Sequence, residues 1–221
     1  MEYKYILFDL DGTLTDSSQG ITRCVKYALE KLGYEIPSED MLLKFIGPPL
    51  QWGFEHVIGM EPGEAERATT VFRERYDTKG LFENTPYQGI TDVLKALTEG
   101  GFVMAVATGK PEPTAKRVIE HFGLDVYFSE ICGSTYDGSR RTKDTIIEET
   151  IRRLGIPEQE RGSILMVGDR MHDMIGAAKC RIRSLGVYYG FADKGELEAN
   201  GADFIINEVK DYYEFFGMKY N

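Results

Sequence analysis

The chain has 221 residues, 42% hydrophobic and 28% charged, an ordinary globular balance, and is long enough to bury a core without disulfide staples. Its formal charge is −10, from 26 Lys and Arg against 36 Asp and Glu, which sets the global field against a nucleic-acid backbone; an anionic small molecule would need local cations or a metal ion. The longest apolar run, Phe102–Ala107, is far short of the ~20 residues of a membrane helix, and no basic-then-apolar leader opens the sequence. A cytoplasmic protein is expected, with no membrane and no nucleic acid among its partners. Cys24, Cys132 and Cys180 form no C-x-x-C pair and are expected as buried free thiols.

In chain order, Tyr3–Leu10 is apolar with little alternation and breaks at Asp11-Gly12, which reads as a strand buried on both faces. From about Asp16 to Asn84 no strand-like run occurs. Ile21, Val25, Ala28, Leu29 and Leu32 make an amphipathic helix stopped by Gly33, and Met41–Ile46 and Ala65–Tyr76 make others, with Phe45, Leu50 and Trp52 read as their core. So long a stretch is no loop, and residues 16–84 are expected as a separate helical insertion. Beyond it, Ile90, Val93, Leu94 and Leu97 repeat at helical spacing and stop at Gly100-Gly101. The strand Phe102–Ala107 follows, then a helix on Ala115, Val118, Ile119 and Phe122, then a strand at Tyr127–Cys132. A helix on Ile146, Ile147, Thr150, Ile151 and Leu154 precedes strands at Ile164–Val167, Leu185–Tyr188 and Phe204–Ile206. The cluster Tyr212-Tyr213 and Phe215-Phe216 reads as a helix face packed on the sheet. Strands alternating with helices predict an α/β core of residues 1–15 and 85–221, a mostly parallel sheet with helices on both faces.

Open parallel sheets bind ligands beyond the carboxyl ends of their strands, so the residues that follow each apolar run matter most. The first run stops at Asp9-Leu10-Asp11-Gly12-Thr13. An extended backbone would point Asp9 and Asp11 the same way, where they repel unless a cation or a proton intervenes. The next run stops at Thr108-Gly109-Lys110, a hydroxyl and a backbone amide suited to a phosphate oxygen. Ile164–Val167 stops at Gly168-Asp169, with Asp173 four residues further on. Lys143 precedes a helical pattern between these strands, with Lys110 and Arg141 as rival cations. His56, His121 and His172 have no metal-ligand spacing.

Taken singly, each of these has a plain reading as a turn or helix-end residue. Together, FDLDGTLTDS at Phe8–Ser17, VATGK at Val106–Lys110, Lys143 before a helix and VGDRMHD at Val167–Asp173 resemble the haloacid dehalogenase-like superfamily, phosphatase branch, in order and spacing over nearly the whole chain. The resemblance implies a Rossmann-like core with an inserted helical cap and a phosphomonoester hydrolase acting on a small phosphorylated metabolite. Asp9 would be the nucleophile that forms an aspartyl-phosphate, and Asp11 the acid and base. Mg2+ would be held by the Asp9 carboxylate, the Asp11 backbone carbonyl and Asp169. Asp173 would orient the metal shell or Lys143. Thr108, the Gly109 amide and Lys143 would hold phosphoryl oxygens, with Gly12 and Thr13 also counted among the phosphate-binding residues.

The segment Phe45–Leu50 is similar to the cap of phosphoglycolate phosphatase-like enzymes, some called nucleotidases, which implies a phosphoglycolate-like or nucleotide monophosphate substrate. Arg170 stands where many relatives carry Ser or Thr, and would either touch a larger substrate or make a surface salt bridge. The presence of both Asp11 and Asp169 argues against a dehalogenase. A phosphosugar mutase of the β-phosphoglucomutase kind and a non-catalytic phosphate-binding regulator are the alternatives. A monomer or weak homodimer is expected.

Overall fold

The computed structural model describes residues 3–219. The chain divides into two compact units, one running up to Thr15 and resuming at Pro86, the other Asp16–Thr85.

The Asp16–Thr85 unit is helical. Helix α1 (Ser18–Leu32) buries Ile21, Cys24, Val25, Ala28 and Leu29 along one face and ends at Gly33, whose N–H reaches back to the Glu30 and Leu29 carbonyls. Helix α2 (Pro62–Tyr76) packs against it through Ala65, Ala68, Val71, Phe72 and Tyr76. It starts earlier than expected because Pro62 is preorganised for a first turn and has no N–H to leave unpaired. The helix expected over Met41–Ile46 is only Glu39–Leu43; Phe45 and Ile46 are buried in the turns after it. Phe45 meets Phe54 edge to face at 5.0 Å, whereas Trp52 is 42% exposed and stacks on His56 at 4.6 Å. Phe54, rather than Trp52, therefore completes the local core.

The other unit is a six-stranded sheet, all parallel. Its strands are β1 (Tyr5–Phe8), β2 (Val103–Pro111), β3 (Glu130–Ser134), β4 (Ile164–Gly168), β5 (Arg183–Val187) and β6 (Phe204–Ile206), in the order β3-β2-β1-β4-β5-β6. Helices α3 (Ile90–Glu99), α4 (Glu112–His121), α5 (Lys143–Arg153) and α6 (Met171–Lys179) flank it. Ile6, Leu7, Phe8, Leu165, Met166 and Val167 have no exposed surface, the physical reason their strands are unbroken apolar runs. Ile146, Ile147 and Ile151 of α5 join Leu7, Ala107, Cys132, Met166 and Ala177 in one core cluster. The short helix α7 (Asp211–Phe215) turns Tyr212, fully buried, toward Phe8 at 6.3 Å between rings. All three cysteines are buried and free. Among the described residues no helix is long and apolar enough to cross a membrane.

Several strand ends differ from expectation. β1 stops at Phe8 because the chain bends at Leu10, and β3 begins three residues late because Asp125–Tyr127 form a 3-10 turn. β2 does not stop at Ala107 but runs on to Pro111, so Thr108, Gly109 and Lys110 belong to the strand itself, and β5 begins at Arg183, two residues early. The topology itself sets the site. The chain winds outward from β1 in both directions, and Phe8 lies level with Val106 of β2 and Val167 of β4. Asp9, Thr108 and Asp169 each come one or two residues after these level positions, at the point where the strand order reverses.

At the start of α4, Glu112 accepts from Arg140 Nη2 at 2.6 Å, Arg153 Nη1 at 3.1 Å and Lys116 Nζ at 2.9 Å, while Arg140 Nε donates to the Gly133 carbonyl at 2.6 Å. Burial opposes the charge on Glu112, but Arg153 and Lys116 prevail and hold its carboxyl down at about 2 against an ordinary 4.5. A depressed folded pKa stabilises above the unfolded value and is lost as pH falls through the folded one. Glu112→Gln is expected to cost about 1–2 kcal/mol at pH 7, allowing for solvent screening of a partly exposed network. Chemical denaturation at stepped pH should show that gap closing between pH 4.5 and about 2; a gap that stays constant would contradict the network's role.

Candidate active site

Asp9 lies one residue past β1, its N–H donating to the Val167 carbonyl at 2.8 Å. The backbone then turns: Leu14 N donates to Leu10 O at 2.9 Å, and Gly12 takes a φ of 87°, in the left-handed region. This bend departs from the extended spacing expected for Asp9 and Asp11, and their carboxylates go to different partners. Asp9 Oδ1 lies 3.0 Å from Lys143 Nζ, and Asp11 Oδ2 accepts from Lys110 Nζ at 2.6 Å. Asp11 Oδ1 is buried with no hydrogen-bond partner among the described residues. Lys143, the first residue of α5, also lies 2.7 Å from Asp173 Oδ1 and donates to the Ala107 carbonyl at 3.0 Å. Of the three rival cations, Lys143 is buried among carboxylates, Lys110 holds Asp11, and Arg141 is exposed.

Asp169 follows β4 and is fully buried. Its Oδ1 accepts from Thr13 Oγ1 at 3.1 Å and its Oδ2 from Phe191 N at 2.8 Å. One carboxylate oxygen from each of Asp9, Asp169 and Asp173 lies within 4.8 Å of the others; Asp11's carboxylate is outside this group. Asp173 Oδ2 accepts from the Arg170 N–H at 3.1 Å, while Oδ1 has the Lys143 ammonium 2.7 Å away as an ion pair, with no hydrogen bond among the described residues, which suits a residue that orients Lys143.

Three carboxylates facing one ammonium leave excess negative charge. Burial pushes Asp169 well above the ordinary carboxylate range, and the charges of Asp173 and Asp9 push it further. Burial also raises Asp173, to about 6; Asp9 adds to this and Lys143 opposes it. For Lys143, burial works to discharge the ammonium, but Asp173 and Asp9 outweigh it and its pKa ends up raised. A hard, oxygen-only donor set with surplus negative charge fits a cation of the Mg2+ type.

Of the other expected residues, Thr108 is buried at the end of the same crevice, its Oγ1 accepting from Lys110 N at 3.2 Å, which leaves its own proton to donate. Gly109 has no left-handed φ, and a Cβ there would meet nothing within 4 Å, so this glycine keeps the approach open without being required by the backbone. Gly12 and Thr13, expected on the phosphate, are employed on Asp169 instead: the Thr13 hydroxyl donates to it, and a Cβ on Gly12 would lie 2.1 Å from its Oδ2. Arg170 turns its guanidinium to Glu196 at 2.8 Å, the salt-bridge alternative.

Four residues in the site had no role in the sequence reading. Lys110 figured only as a rival for Lys143's role. A Cβ on Gly168 would fall 2.1 Å from Asp173 Cγ, one on Gly176 2.7 Å from Lys143 Cγ, and one on Gly190 2.4 Å from Asp169 Cβ. These glycines let the charged side chains lie flat against backbone. Gly190 follows β5, and strand-end logic applied there would have found it.

Residues 6–187 match the haloacid dehalogenase-like hydrolase family. A 5'-nucleotidase of Pseudomonas aeruginosa is 42% identical over 200 residues, covering 90% of this chain and 89% of that protein. The tyrosine-protein kinase PtkA of Mycobacterium tuberculosis is 40% identical over 187 residues; the match covers 84% of this chain and 62% of PtkA. The crystal structure of a predicted phosphatase from Clostridium acetobutylicum superposes with a TM-score of 0.90 at 40% identity, over 99% of this chain and 100% of that one. The chain belongs to the haloacid dehalogenase-like hydrolase family. It is an enzyme of that family's phosphatase kind.

The glycine contacts give a prediction of unusual sign. Gly→Ala inside a helix normally stabilises by about 0.5–1 kcal/mol. Gly176→Ala in α6 is expected to destabilise by about 1–3 kcal/mol, because the new methyl overlaps the buried stem of Lys143. A raised melting temperature would contradict this packing.

Proposed function

We propose that the enzyme hydrolyses a small phosphomonoester in two steps through Asp9. The observation that carries this is the cluster of Asp9, Asp169 and Asp173 with Lys143 buried among them. An Asp9 oxygen attacks phosphorus, the bond to the ester oxygen breaks, and Asp11 gives that oxygen a proton. Water then attacks the phosphorus of the aspartyl-phosphate, Asp11 takes the water's proton, and the bond to Asp9 breaks to release phosphate and restore the carboxylate. Asp11 suits both roles, since Lys110 fixes one of its oxygens and the other has no hydrogen-bond partner among the described residues. Thr108 Oγ1, the Gly109 amide and Lys143 receive phosphoryl oxygens, and Asp173 keeps Lys143 in place. Mg2+ would be held by the Asp9 and Asp169 carboxylates and the Asp11 carbonyl, and would supply the positive charge that lets two anions meet.

The 42% identity to a 5'-nucleotidase supports a nucleoside monophosphate as first substrate, with phosphoglycolate-like esters next. The insertion Asp16–Thr85 is assigned the choice among them; exchanging it for a relative's should reorder a panel of esters. A second reading has PtkA behind it: transfer of a phosphoryl group to a tyrosine hydroxyl instead of to water. A mutase would return it to a sugar.

One experiment tests the proposal. Phosphate release from nucleoside 5'-monophosphates, 2-phosphoglycolate and p-nitrophenyl phosphate is measured with Mg2+ and with EDTA, beside labelling of protein tyrosine from γ-labelled ATP. Free phosphate that needs Mg2+ and falls about 10³-fold or more in Asp9→Asn is the expected result. Asp9→Asn activity within tenfold of wild type would sink the nucleophile, and tyrosine labelling without phosphate release would favour the kinase.

A further inference from the structure

Three consecutive residues after β5 converge on one carboxylate and the turn beneath it. Tyr189 Oη donates to the Thr13 carbonyl at 2.9 Å and lies 2.9 Å from the hydroxyl of buried Tyr212. Gly190 presses so close that a Cβ would fall 2.3 Å from Gly12 O and 2.4 Å from Asp169 Cβ. Phe191 N donates to Asp169 Oδ2 at 2.8 Å, while Thr13 Oγ1 holds Oδ1 of the same carboxylate at 3.1 Å. The Tyr189 ring is set edge to face against Tyr87 at 4.9 Å. Asp169 is therefore gripped at Oδ2 and along its stem by a segment from a fourth strand end, and at Oδ1 by Thr13, whose carbonyl the same segment holds.

We infer that Tyr189-Gly190-Phe191 is a clamp that sets the position of Asp169 for a divalent cation, with Tyr189 as a positioning residue that acts through Thr13. The chain of contacts is Tyr212 to Tyr189, Tyr189 to the Thr13 carbonyl, and the Thr13 hydroxyl to Asp169. A carboxylate buried beside two others would turn away from them if left free, since each such pair repels. Held at both oxygens, it keeps its place in the absence of the ion, so binding need not order it. The metal part of this inference rests on the reading of Asp169 as a ligand; the clamp itself does not.

Tyr189→Phe removes only the hydroxyl and keeps the ring contact. In metal-free protein, thermal unfolding of Tyr189→Phe, Asp169→Asn and the double variant forms a cycle. The clamp predicts that the two shifts do not add, and additive shifts would overturn it. Calorimetric titration with Mg2+ is the second arm. Tyr189→Phe is expected to weaken binding about tenfold with its circular dichroism unchanged. If wild type binds and Tyr189→Phe matches it within twofold, the positioning role is overturned. If wild type itself does not bind, the metal reading fails, and the cycle still decides the clamp.

Discussion

Three carboxylate groups confined within 4.8 Å of one another, with a single buried ammonium among them, are the constraint on which the rest of this molecule depends. At an effective dielectric of ~20, each such pair repels by about 3 kcal/mol or more. Lys143 offsets part of this by reaching Asp9 and Asp173 at once, and the Ala107 carbonyl fixes its third direction. Asp169 is held by a hydroxyl and an amide, and among the described residues it forms no ion pair. The arrangement is tolerable only because the fold is stiff around it, and it is chemically useful because a cation and an anionic group are both drawn to it.

The stiffness comes from the sheet. Phe8 of β1 lies level with Val106 of β2 and Val167 of β4, β2 runs on to Pro111, and the outward winding from β1 makes this the point where the strand order reverses. Glycines then bring the acids close. Gly168 lets Asp173 lie against the end of β4, Gly176 lets the Lys143 stem lie against α6, and Gly12 and Gly190 enclose Asp169 from two sides. Each is a place where one methyl group would displace a charge, so catalytic geometry and backbone packing are here the same problem.

Most of the sheet unit was legible in the sequence because strands buried on both faces leave unbroken apolar runs, and the flanking helices leave a clear 3.6 period. The ends were less legible. β1 and β3 shifted where local turns at Leu10 and at Asp125–Tyr127 overrode the apolar pattern. In the insertion, Trp52 gave way to Phe54, since aromatic character does not say which ring faces inward. For the site, strand-end logic brought Asp9, Thr108 and Asp169 to one crevice. It could not foresee that Gly12 would bend the chain and send Asp11 to Lys110, nor that the Thr13 hydroxyl would be taken by Asp169. Pairings between side chains 99 and 156 residues apart are set by tertiary packing and leave no local trace.

The central claim is that surplus carboxylate charge at the ends of β1 and β4 is there for a divalent cation. Anomalous diffraction from crystals equilibrated with Mn2+, a hard-oxygen stand-in for Mg2+, locates the ion directly. The account predicts one strong peak bonded to the Asp9 and Asp169 carboxylates, with Lys143 still on Asp173. No peak in the cluster at saturating Mn2+, or a peak only at surface acids, would contradict it.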